Sequence, residues 1–372
     1  MKYLSGALKE NRTVTNLNIG NNQLGFNPEN MMYLSEAVKD NSYINNLYLN
    51  GNKLGTSIND IIYLSESLKI NNTIIRFELQ LIGYNPCDLE YLSNALKGNK
   101  YITTLNLSFN LISSHSGDME HLSKALKINN RITTLHLRGN SIGSNPEDMK
   151  YLSEGLKSNK AISKIDLYGN KIGLFNTDMK YLCDAHGQNK TISTLFLGNN
   201  MLGSNRENMK YLSEVLTGNK TIVNQLYLYG NSIGSNPGDM EYLSRAIRNN
   251  KTIITLDLYG NKIGSNSNDV KFLSEALKEK KTIINLYLGN NSIGSNPESI
   301  KYLSEALKVK NSIITTLYLY GNSGPTNQEN TKYLSEALHE NKTLTTLDLS
   351  VNSIRNESLE KIRKIRKNLN IN

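Results

Sequence analysis

Residues 131–160, RITTLHLRGNSIGSNPEDMKYLSEGLKSNK, return in near-copies from one end of the chain to the other. A sequence built on such a period does not close around one central core. Each copy is a small structural unit that buries its apolar side against the next copy. Within the unit, Leu135 and Leu137 alternate with His136 and Arg138, the period of two of a half-buried strand with its leucines inward. Asn140 follows three residues after Leu137, and then come Ile142 and Gly143. The stretch Ser144-Asn145-Pro146-Glu147-Asp148 reads as a helix start. Asn145 is the expected N-cap, Pro146 the first helical residue, where no N–H is needed, and the two acids suit the first turn. Met149, Leu152 and Leu156 share one helix face, while Lys150 and Glu154, four apart, pair on the solvent side. The unit is strand, tight turn, helix and return.

The copies are tracked by the pair Tyr-Leu, at Tyr3, Tyr33, Tyr63, Tyr91, Tyr151, Tyr181, Tyr211, Tyr242, Tyr302 and Tyr333, with His121 and Phe272 replacing the aromatic in two more. Tyr33 to Tyr63 spans 30 residues, Tyr63 to Tyr91 spans 28, and Tyr211 to Tyr242 spans 31. The short copy loses its residues at Gln80-Leu81, where the turn asparagine is due. Twelve strands are expected, centred on Leu17, Leu47, Phe77, Leu105, Leu135, Ile165, Leu195, Leu226, Leu256, Leu286, Leu317 and Leu347.

The pattern Leu-x-x-Leu-x-Leu-x-x-Asn-x-Leu resembles the leucine-rich repeat. The helix after each strand and the Ile-Gly after the asparagine are similar to the ribonuclease-inhibitor-like subclass, which also includes the Ran GTPase-activating protein and the NOD-like receptor sensors. The resemblance covers the whole chain. The departures are a period slightly above the usual range, the missing asparagine of the third copy, and Gly324 in place of the Ile after Asn322. The resemblance implies an α/β fold, a curved solenoid or horseshoe with a parallel sheet on the concave face and helices on the convex face. Strands about 4.8 Å apart and helices about 8–10 Å apart force the curvature. It also implies burial of a ladder of asparagines: Asn22, Asn52, Asn110, Asn140, Asn170, Asn200, Asn231, Asn261, Asn291, Asn322 and Asn352. A single solenoid over 1–372 is expected, with a partial helix or cap at 1–15, repeats over 16–355 and a basic capping helix at 356–372. That last segment places Leu359, Ile362, Ile365 and Leu369 on one stripe among Lys361, Arg363, Lys364, Arg366 and Lys367. Its alternative reading is a basic amphipathic membrane or nuclear-import signal.

The net charge is +9, yet the lysines recur at fixed outer helix positions such as Lys150 and Lys157. That pattern points to a solvated face rather than the clustered patch that binds nucleic acid. Cys87 and Cys183 stand at different phases of separate copies and are read as reduced thiols of a cytosolic chain. No apolar leader precedes the repeats and no run is long enough to span a membrane, so a cytoplasmic protein is expected. The Asn-x-Thr sequons, Asn189-Lys190-Thr191 among them, follow from the repeat and are read as silent. The Asn-, Lys- and Ile-rich composition hints at an AT-rich genome.

Chemistry finds little support. Ser108, His136 and Asp166 fall on adjacent strands but lack a strained nucleophile turn, an oxyanion hole and shelter from water. Asp166, Asp257 and Asp348 recur every third copy, roughly 15 Å apart, too far for a carboxylate pair. The five histidines are scattered, no metal-ligand spacing occurs, and no glycine-rich phosphate loop follows a strand. No catalytic residue, cofactor or small-molecule substrate is expected.

The outward strand positions of the second half are different. Tyr168, Phe196, Tyr227, Tyr229, Tyr259, Tyr287, Tyr318 and Tyr320 project there, interleaved with Asp166, Asp257 and Asp348. Core packing does not require outward aromatics, whereas protein interfaces favour them. The expected function is therefore non-enzymatic binding of a protein partner, with a basic surface, on this face and centred on Tyr229, Tyr259 and Asp257. A host-directed effector of an intracellular microbe is one such role. The alternative is a regulator of a partner enzyme, as in the family's inhibitors and GTPase activators. The helix tyrosines, Tyr151 and its copies, are read as packing residues.

Overall fold

The computed structural model describes residues 1–81, 87–115, 117–218, 222–280, 282–309, 312–323, 328–352, 354, 356–365 and 369–371. Two compact units divide the chain: residues 1–172 with 184–192, and residues 173–183 with 193–372. Gly324, Arg366 and Lys367 lie outside the described residues, as does the side chain of Lys361.

The first unit contains β1 (Asn16–Asn18), β2 (Asn46–Tyr48), β3 (Arg76–Glu78), β4 (Thr104–Asn106), β5 (Thr134–His136) and β6 (Lys164–Asp166), each parallel to the next in sequence order. The second contains β7 (Thr194–Phe196), β8 (Gln225–Tyr227), β9 (Thr255–Asp257), β10 (Asn285–Tyr287), β11 (Thr316–Tyr318), β12 (Thr346–Asp348) and β13 (Asn370–Ile371), again parallel and in order. All twelve expected strand centres hold the middle of a three-residue strand. β13 is the addition: after the helix Asn356–Ile365 the chain returns and pairs Ile371 with Leu347 of β12. Leu359 and Ile365 are half-buried and Ile362 and Leu369 buried.

Each unit buries the strand leucines against the helix stripe. Leu135, Leu137, Met149, Leu152 and Leu156 are all 0 % exposed. On the outer side, Lys150 pairs with Glu147 at 2.6 Å, and Glu154 takes Lys127 of the preceding helix at 2.8 Å. The expected Lys150–Glu154 pair therefore does not form: each residue has a nearer partner, and exposed pairs of this kind contribute at most about 1 kcal/mol.

The asparagine ladder is present and directional. Asn170 Oδ1 accepts from the N–H groups of Asn140 (2.9 Å) and Ile142 (3.0 Å), and its amide donates to Leu137 O (3.0 Å) and to Leu167 O (2.9 Å). Three of these groups belong to the copy before. Asn22 is the exception to the expected burial: it is exposed, and its amide donates to Gly20 O at 2.8 Å, within its own turn.

A second ladder, unforeseen from the leucine pattern, closes the helix exits. Asn159 donates to Leu126 O and Asn129 O, both at 2.8 Å, and accepts from Ala161 N and Ile162 N. Asn41, Asn71, Asn99, Asn129 and Asn189 repeat this in the first unit, as Asn250 and Asn341 do in the second. The sequon asparagine Asn189 is thus 4 % exposed and held from both sides.

The turn between strand and helix has two forms. Ser-Ile-Gly-Ser-Asn-Pro occurs at 141–146, 232–237 and 292–297. In the first two, Gly143 and Gly234 have φ of 92° and 94°, and Asp148 or Asp239 accepts the N–H of that glycine and of the following asparagine at 3.1–3.2 Å. The helix then begins at the aspartate, not at Pro146 as the cap pattern suggests. In the third, Ser299 replaces the aspartate, Ile293–Ser295 forms a 3-10 turn, and the helix begins at Pro297 with Asn296 accepting Glu298 N as its cap. In these three copies carboxylate and turn go together: the buried acceptor turns two N–H groups toward itself where it is present.

Candidate functional site

Along the outward strand position of the second unit, Phe196, Tyr227, Asp257, Tyr287, Tyr318 and Asp348 stand in register on six adjacent strands. Period-two alternation places them here: Leu226, Leu256, Leu286 and Leu317 beside them are 0 % exposed. Phe196 and Tyr227 stack face to face, centroids 4.2 Å apart and planes within 4°. Tyr287 and Tyr318 stack at 4.9 Å and 14°. Asp257, a shorter side chain, leaves a notch between the two pairs. One of its oxygens accepts Tyr259 N at 2.9 Å. Burial holds its carboxyl above the usual carboxylate range, opposed by that N–H. The Tyr227 hydroxyl is raised by burial and then by the Asp257 charge, and Tyr287 by burial, then by Tyr318, Tyr227 and Asp257.

The second outward position carries Tyr229, Tyr259 and Tyr320. The sequence suggests that Tyr229 and Tyr259 form one patch, and their strands are neighbours, but the rings lean apart. The Tyr229 ring covers Gly198, where an added Cβ would meet it at 2.6 Å. Tyr259 leans the other way over Gly289, donates no stack to Tyr229's side, and its hydroxyl accepts from Asn290 at 2.6 Å. Tyr320 lies beyond, 6.5 Å from Tyr259. The two glycines are the signal sequence reading missed: each leaves the space into which a neighbouring ring folds.

Tyr168 belongs to the first unit and is engaged there. The Arg138 guanidinium lies over its ring at 4.4 Å and stands 3.7 Å from Asp166. His136 is 3.4 Å from the same carboxylate. Ser108 does not join them, since its hydroxyl donates to Asn106 Oδ1 at 2.7 Å within its own copy, leaving no nucleophile aimed at the imidazole. Asp348 accepts both the N–H and the hydroxyl of Ser350. Among the described residues no group of His, Cys, Asp and Glu has the geometry to hold a metal, and no helix is long and apolar enough to cross a membrane.

No protein-family model matches the chain, and no curated protein sequence does. Among solved structures, it is similar to the leucine-rich repeat-containing protein LegL7 from Legionella pneumophila, with TM-score 0.51 and 20% identity over 97% of this chain and 93% of that one. A leucine-rich-repeat protein of Leptospira interrogans aligns over 100% of this chain and 99% of its own, with TM-score 0.40 and 17% identity. Parallel strands alternating with helices, the buried asparagine ladder and the likeness to LegL7 together establish that this chain has the leucine-rich-repeat fold.

Proposed function

We propose that the chain is a non-enzymatic scaffold that binds a partner protein on the strand face of residues 193–372. The observation that carries this reading is the pair of aromatic stacks standing outside the core, on a face whose leucines are already buried on the other side. Aromatic rings held by stacking bring contact area with little rotamer entropy left to lose on binding. Among the described residues no cation reaches Asp257 or Asp348 on the same face, which favours a basic partner surface. Action in the cytoplasm, or in a host cell after delivery, is part of the same proposal.

The test is capture of partners by the intact chain, compared with Tyr227→Ala and Lys150→Ala. Loss of the captured protein with the first variant and its retention with the second supports the reading. The opposite pattern moves the binding surface to the helices.

A further inference from the structure

Three of the four acidic side chains at the first outward strand position, Asp348 being the fourth, show how this chain treats a carboxylate there. In the first unit Glu78 is met by Arg76 at 2.6 Å, with the Tyr48 ring 5.9 Å from that guanidinium. Asp166 has Arg138 at 3.7 Å, and Arg138 lies on the face of Tyr168 at 4.4 Å. In both cases a carboxylate and an aromatic face share one guanidinium. In the second unit Asp257 has the same position and more aromatic surface, yet no cation reaches it among the described residues. The place that Arg138 fills relative to Asp166 is filled relative to Asp257 by Tyr229.

Two strand spacings leave room for a planar group at Asp257. Tyr227 and Tyr287 flank Asp257 in register, so their backbones are two strand spacings, roughly 10 Å, apart. Each ring is backed on its far side, Tyr227 by Phe196 and Tyr287 by Tyr318, which leaves the other face of each toward the notch. A planar group between two rings needs about 7–8 Å from plane to plane. A guanidinium is planar, stacks on aromatic faces and donates in a fork to a carboxylate, whereas an ammonium is a compact, strongly hydrated charge.

We propose that Asp257, with the facing rings of Tyr227 and Tyr287, is a receptor for an arginine side chain of the partner. The inference rests on the protein-binding reading of this face and adds the chemistry of its central contact. Asp257 accepts the charge, the two rings sandwich its plane, and Tyr259 N holds the second carboxylate oxygen in place.

The probe is N-acetyl-arginine amide, titrated into the intact chain and followed by the ring resonances of isotope-labelled tyrosine. The neutral isostere N-acetyl-citrulline amide and Nα-acetyl-lysine amide are the comparisons. Asp257→Asn is the variant of choice, because Asn106 already occupies the equivalent position in β4 and accepts the matching N–H of Ser108 at 3.1 Å. We expect saturable binding of the arginine amide on the order of 1–10 mM, at least tenfold weaker with citrulline, several-fold weaker with lysine, and at least tenfold weaker in Asp257→Asn. Equal binding of citrulline or lysine, or unchanged arginine binding in Asp257→Asn, overturns the proposal. Partner capture reads the scaffold function separately. Arginine binding that depends on Asp257, with no protein captured through this face, upholds the notch and removes the scaffold. Capture through Tyr227 with no arginine binding does the reverse.

Discussion

Asn170 Oδ1 sits 2.9 Å from the backbone nitrogen of Asn140, thirty residues earlier, and binds one copy's turn to the next. Replacing Asn170 by Ala removes the acceptor for Asn140 N and Ile142 N and the donor for Leu137 O, all buried. A cost of about 1–3 kcal/mol is expected. Asn22→Ala, exposed at the first strand, should stay within about 0.5 kcal/mol. Urea denaturation of the two variants checks the contrast, and equal midpoints would refute the burial argument.

The helix-exit ladder should matter as much. Asn159→Ala leaves Leu126 O and Asn129 O without their donor and Ala161 N and Ile162 N without their acceptor. The expected loss is again about 1–3 kcal/mol. Faster amide exchange at Ala161 and Ile162 than at Thr191 and Ile192, the matching pair one copy on, is the local signature to measure.

Asp60 and Asp269 carry an aspartate on the wrong turn. Both follow 3-10 turns, Leu54–Thr56 and Ile263–Ser265, which do not offer the two N–H groups that Asp148 and Asp239 receive. Burial, then the neighbouring Asp88 or Asp239, raises them to about 7 and about 6. A folded-state pKa above the unfolded one means the folded chain holds the proton more tightly. The stability from Asp60 is therefore fully present below the unfolded value near pH 4 and is lost as pH rises through about 7. Asn30 shows the remedy, since its amide donates to Leu24 O on the same kind of turn. Asp60→Asn should raise stability at pH 8 by roughly 1–2 kcal/mol, change little at pH 5, and flatten the profile between them. Thermal melts across that range decide it.

Much of this was legible in the residues. The spacing of Leu135 and Leu137 placed every strand of the repeats, and Asn140 with its copies announced the ladder. β13 was not legible because Leu369 also fits the helical stripe of Leu359, Ile362 and Ile365, and the short alternation Leu369-Asn370-Ile371 is fixed as a strand by pairing with β12. The turn form was hidden because Ser-Ile-Gly-Ser-Asn-Pro adopts both, the choice falling to residue Asp239 or Ser299 outside the motif. The aromatic row was visible as a row, but Gly198 and Gly289 decide where Tyr229 and Tyr259 point. Pairing of Arg138 with Asp166 needed the positions of two side chains on different strands.

Gly198→Ala gives a way to disturb the aromatic face without touching an aromatic. Its new Cβ would meet the Tyr229 ring at 2.6 Å, a clash with a side chain rather than with backbone. Stability should change by less than about 1 kcal/mol, and partner binding should weaken as in Tyr229→Ala, by about 2 kcal/mol. Tyr259→Ala, at 39 % exposure, should leave the fold within about 0.5 kcal/mol. Calorimetry on the three variants separates fold from binding.

The backward reach of the two asparagine ladders sets a direction in time. Within each unit, several of a copy's buried N–H and C=O groups find their partners on the copy that follows. On the ribosome, a freshly emerged copy waits for the next thirty residues before its backbone is sealed, roughly 2–6 s at about 5–20 residues per second. Each copy is finished by its successor, so maturation trails synthesis by one period, and a stalled ribosome leaves the newest copy exposed to the cell's quality control.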